Sequence, residues 1–109
     1  MARRLVDLLS EKQASDIVLL DISPVATFAD YFLIATGETK RQMEAILTAL
    51  EEELSKDDVV PLGREGEPET GWVLLDLGDI VVHIFGPEER SYYDLEGLWH
   101  RARPVVRVQ

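Results

Sequence analysis

A chain of 109 residues, 46% hydrophobic and 29% charged, has the size and composition of one globular domain over residues 1–109; it is too short for two cores and lacks both disordered and membrane-spanning composition. With no cysteine it forms no disulfide, thiolate nucleophile or sulfur-ligated metal site. A formal net charge of −10 repels nucleic acid and anionic lipid and favours a basic partner surface, the arginines at 101, 103 and 107 being too thin a footprint for phosphate contacts.

Over residues 2–14, Leu5, Leu8 and Leu9 recur at helical spacing between charged residues, which predicts a short amphipathic helix. Asp7, Ser10 and Glu11 interrupt what would have to be the hydrophobic region of a signal peptide, so a cytoplasmic location is expected. Residues 16–22 are almost continuously apolar and predict a strand covered on both faces, ended by Ser23 and Pro24. Residues 31–36 predict a second strand of the same kind, after a loop over 25–30. Thr39, with Gln42 three residues later, forms a capping box that opens a helix over 39–56. Met43, Ile46, Leu47, Leu50 and Leu54 are its buried stripe. Residues 59–62 predict a brief strand, confined to an edge because Pro61 cannot donate to a ladder, and residues 63–69 predict a loop.

The stretch 71–85, GWVLLDLGDIVVHIF, predicts a β-hairpin about the break at Gly78 and Asp79 and is expected at the centre of the sheet. Side chains alternate along each strand and divide the ribbon into two unlike faces. Val73, Leu75, Leu77, Ile80, Val82 and Ile84 are wholly apolar and make a core face. Trp72, Leu74, Asp76, Asp79, Val81, His83 and Phe85 mix large apolar groups with two carboxylates and an imidazole, the composition of a binding hot spot. After the hairpin, Pro87, Glu88 and Glu89 suit a helix opening, and Tyr92, Leu95, Leu98 and Trp99 continue at near-helical spacing until Pro104. If that last helix covers the core face, the mixed face stays open. The fold class is therefore α/β, a mixed sheet with flanking helices.

Asp76, Asp79 and His83, with Asp21 and Asp30 on neighbouring strands, make a carboxylate-rich set suited to magnesium or manganese. Their spacing matches no metal motif, and turn-capping aspartates beside a hydrogen-bonded histidine explain it more simply. Gly63-Arg64-Glu65-Gly66 has the spacing of an RNA-clamping GxxG loop, but Glu65, Glu67 and Glu69 put negative charge where phosphates would lie.

The strings DIVLLDIS (16–23), ADYFLIATG (29–37), PLGREGE (61–67), GWVLLDLGDIVVHIF (71–85) and YDLEGLW (93–99) resemble, in this order, the ribosomal silencing factor family RsfS, the Iojap-related family. The resemblance implies a nucleotidyltransferase-like mixed sheet with no catalytic activity and no cofactor. It implies binding to large-subunit ribosomal protein fourteen on the large ribosomal subunit, where the protein sterically blocks subunit joining and represses translation when nutrients are scarce. The family's partner-binding surface matches Trp72, Asp76 and Leu77 here, with Val81 and His83 on the following strand, and the face division adds Leu74, Asp79 and Phe85. No role is assigned to the tail after Pro104. Two other functions remain open on the residues alone: a metal-dependent nucleotidyltransferase-like enzyme using the aspartates, and a homodimerisation module using the mixed face.

Overall fold

Strands that lack polar alternation need cover on both sides, and the three most continuously apolar strings of the chain lie side by side in the sheet. In the computed structural model, which describes residues 1–108, these are β1 (Ser15–Asp21), β2 (Tyr31–Thr36) and β5 (Ile80–Phe85). With β3 (Gly63–Glu65), β4 (Trp72–Asp76) and β6 (Arg103–Val108) they form one six-stranded sheet of order β3-β4-β5-β2-β1-β6. The β2–β5 pair is parallel and every other pair antiparallel, so the sheet is mixed.

One face is closed by α1 (Ala2–Glu11) and α2 (Lys40–Lys56). Leu5, Leu9, Ile46 and Leu50 on these helices meet Val73, Leu75, Val82 and Ile84 of the hairpin, which confirms the predicted core face. Leu77 packs partly against the same cluster. The start of α2 follows its cap: Thr39 Oγ1 accepts from the Gln42 backbone N–H at 3.0 Å. The return bond reaches one residue further back than a capping box requires, to the Glu38 N–H at 2.6 Å. The Gln42 amide also donates to the Gln13 carbonyl at 2.7 Å and so ties the helix to the loop before β1.

Three elements depart from expectation. Residues 59–62 form no strand; the edge strand is β3, inside the stretch read as a loop. Pro61 has no N–H to offer, so the pairing to β4 begins only at Leu62, whose N–H reaches the Asp76 carbonyl at 2.7 Å. All three β3 residues are exposed, so no apolar pattern announced the strand. The last helix is two short ones, α3 (Pro87–Tyr93) and α4 (Leu95–Leu98), separated at Asp94 in the left-handed region with φ 45°. The Asp94 carboxylate then accepts from the Gly97 N–H at 3.2 Å, which starts the second helix in a new direction. Pro104 does not merely end a helix: it lies in β6, an edge strand, where the register to β1 slips between Leu19 and Leu20. An edge position with a bulge is where a sheet tolerates proline.

Two glycines bracket the functional face. Gly78, φ 92°, opens the hairpin turn closed by the Leu77 N–H to Ile80 carbonyl bond of 2.9 Å. Gly66, φ 83°, lets β3 approach β4 so closely that a Cβ would collide with the Trp72 carbonyl oxygen. Around Gly78 a Cβ would make only an ordinary 3.6 Å contact with Leu62. Gly78→Ala is therefore expected to cost about 1 kcal/mol from backbone conformation alone. Gly66→Ala should cost clearly more, and urea midpoints at unchanged m-value would rank the two.

Candidate functional site

Residues directly opposed across antiparallel strands share a face, and the β4–β5 register pairs Trp72 with Phe85, Leu74 with His83 and Asp76 with Val81. The mixed face thus forms as the alternation predicts. The β3–β4 register adds Glu65 opposite Leu74, which brings a carboxylate onto the same side.

This face is not open along its whole length. Because α1 and α2 already fill the core side, α3, α4 and the turn after them fold over the mixed side. Leu95 and Ala102 are buried there against Phe32, Val81 and Phe85. Val81, His83 and Phe85 are consequently sealed from solvent, His83 at 3% exposure, which corrects their assignment to a partner-binding surface. Leu77 is corrected as well, since it points to the helix-covered side. Trp72, Leu74 and Asp76 are half-buried and Asp79 is exposed, so these four remain on the surface.

Trp72 is held on three sides. Its ring stacks on Phe85 at a centroid distance of 4.9 Å and packs against Tyr93 at 4.5 Å. Its Nε1–H donates to His83 Nδ1 at 3.2 Å. The Phe32 ring meets the imidazole edge-on at 4.7 Å. Burial lowers the His83 pKa to about 4, because an imidazolium cannot be solvated among these rings. The imidazole is therefore neutral at pH 7, Nδ1 carries the accepting lone pair, and Nε2 carries the proton. Nε2 is buried and has no hydrogen-bond partner.

A chain of ring contacts crosses the face from Tyr92 and Tyr93 through Trp72, His83 and Phe32 to Trp99 and Phe28. Both ends are exposed, Tyr92 at 82% and Phe28 at 60%. Beside Trp72 lies a groove of about 320 Å³ with Trp72, Leu74 and Tyr93 as its apolar lining and Glu65 among its polar groups. Sequence reasoning missed Glu65, Tyr93, Trp99 and Phe28 as surface contributors. The signal available was the cluster of aromatics between 92 and 99, read instead as one helix stripe.

Two of the aspartates, Asp76 and Asp21, are occupied in turns and an ion pair. Asp76 Oδ1 accepts from the Gly78 N–H at 2.9 Å. Asp21 accepts from the Ser23 hydroxyl and N–H, which hold its carboxyl below the usual range, and pairs with Arg103 at 3.1 Å. Among the described residues no group of three or more His, Asp or Glu side chains is placed to hold a metal ion. The nucleotidyltransferase reading thus finds no ligand set here. No helix among the described residues is long and apolar enough to cross a membrane.

A family model described as "Ribosomal silencing factor during starvation" matches residues 1–109. The ribosomal silencing factor RsfS of Bacillus subtilis is 44% identical over 89 residues, covering 82% of this chain and 75% of that one. A mouse protein named for mitochondrial assembly of the ribosomal large subunit is 33% identical over 87% of this chain, which spans 43% of it. The crystal structure of a Chromobacterium violaceum protein superposes with a TM-score of 0.85 at 34% identity, over 91% of this chain and 82% of that one.

Proposed function

The chain belongs to the ribosomal silencing factor family, and from that membership we propose that it docks on the large ribosomal subunit through large-subunit ribosomal protein fourteen. Seated there, it stands sterically in the way of the small subunit and represses translation when nutrients are scarce. In this reading it is a cytoplasmic regulator that works by occupying a surface and carries out no catalysis.

The observation that carries the proposal is the half-exposed Trp72 at the middle of an aromatic face, with Leu74 and Tyr93 beside it and Glu65 on the adjacent strand. Aromatic anchors in partly desolvated pockets dominate binding energies, and carboxylates at the rim select a basic partner. A ribosomal protein that itself contacts RNA is such a partner, and a chain of net charge −10 is drawn to it. The mouse relative's name, which ties that protein to assembly of the mitochondrial large ribosomal subunit, supports a partner on the large subunit.

Pelleting with purified large subunits at graded salt tests this. Co-sedimentation is expected at low salt, with association slowing as ions screen the acidic surface over about 8 Å at physiological ionic strength. Adding small subunits should then yield fewer joined ribosomes than in the absence of the protein. A chain that stays in the supernatant at every salt concentration, or that sediments only as its own homodimer, would overturn the proposal.

A further inference from the structure

We infer that His83, although sealed from solvent, is a positioning residue of the docking surface: its Nδ1 holds the Trp72 indole by the Nε1–H in the orientation the partner meets. This rests on the docking reading above and names the residue that pre-sets its central anchor.

His83 lies in surroundings that are almost wholly apolar. Its cross-strand partners are Leu74 and Ile34, and the rings in contact with it are Trp72, Phe32 and Phe85. Nothing around it calls for a polar group except the Trp72 indole. Its second nitrogen, Nε2, is buried without a partner, a state that costs a fold its desolvation penalty. A leucine would fill the same space and bury no Nε2–H, at the cost only of the acceptor for the Trp72 indole. An imidazole there weakens the core locally, and what it supplies in return is the acceptor at 3.2 Å from Trp72 Nε1.

That acceptor matters because stacking alone leaves the indole one freedom. Phe85 and Tyr93 fix its plane, yet a half-turn about the Cβ–Cγ bond keeps that plane and presents the opposite edge. A directional bond to Nε1 removes this freedom before the partner arrives. Ordering a side chain in advance improves affinity because binding no longer bears that entropy.

The test compares His83→Leu with His83→Gln, whose side-chain oxygen can still accept from the indole. The Trp72 indole N–H is followed by NMR in the free protein, with Trp99 as the internal reference, alongside thermal unfolding and co-sedimentation with purified large subunits. In His83→Leu the Trp72 resonance should move and exchange faster with solvent, the unfolding temperature should stay near that of the parent because one buried unpaired N–H is removed as the indole N–H loses its acceptor, and affinity should fall about threefold to tenfold. His83→Gln should recover most of the indole signature and of the affinity. An unchanged Trp72 resonance in His83→Leu overturns the positioning role, as does a binding loss that appears only together with a loss of stability and is not relieved by glutamine. A parent protein that fails to co-sediment refutes the docking reading itself, an outcome recognisable without either variant.

Discussion

Trp72→Ala is expected to weaken co-sedimentation with isolated large subunits by a factor of about thirty or more, while the variant remains folded. The size follows from the usual cost of truncating a central aromatic anchor, about 2 kcal/mol or more, at about 1.4 kcal/mol for each factor of ten. Survival of the fold follows from where the indole lies. It is half-buried at the start of β4, whereas the neighbours that hold β4 in the sheet, Val73 and Leu75, face the α1–α2 side and are buried. Truncation removes the contacts with Phe85 and Tyr93 and leaves His83 Nδ1 without its donor, so some loss of stability will accompany the change. Circular dichroism and a urea titration separate the two effects. A folded variant that pellets with large subunits as the parent does would remove Trp72 from the interface, and an unfolded one would return it to the core.

Both the hairpin and its two unlike faces were legible from the side-chain types alone, because period-two alternation in 72–76 and 80–85 allows only one division. What covers each face was not. Val81, His83 and Phe85 looked available on the condition that Tyr92, Leu95, Leu98 and Trp99 formed one helix covering the core face. The left-handed Asp94 breaks that helix and redirects Leu95 and Trp99 onto the other face. A single residue at φ 45° leaves no periodicity for sequence reading to find, since aspartate is also at home inside a first helical turn. The two edge strands were hidden for a related reason. β3 is exposed on all three residues, and in β6 Pro104 and two arginines mask the short alternation of Val106 and Val108, which pack only partly on the core; both strands are held by backbone pairing to neighbours with fuller apolar faces. The tail after Pro104 thereby gains a structural role it was not assigned: it pairs along β1 and its Arg107 reaches Glu96, while Arg103 just before it pairs with Asp21.

The same buried imidazole makes the fold acid-sensitive in a predictable window. In the unfolded chain His83 takes up a proton near pH 6.5, but in the native protein its burial among Phe32, Phe85 and Trp72 delays protonation to about pH 4. Between those values the unfolded state binds more protons, so stability rises with pH there. The contribution is present in full above pH 6.5 and is lost as pH falls toward 4. At about 1.4 kcal/mol for each pH unit, the interval corresponds to a loss of about 3 kcal/mol, a large part of the stability of a domain this size. Urea midpoints at pH 7 and pH 4.5 should therefore separate widely for the parent and much less for His83→Leu. Contributions common to both proteins cancel in the comparison. Equal pH slopes for the two would show that His83 protonates in the native state as readily as in the unfolded one, which its sealed position does not allow. An imidazolium also has no lone pair at Nδ1, so acid that charges His83 must release the Trp72 indole even where the sheet holds, and the indole resonance should move over the same range in which stability declines.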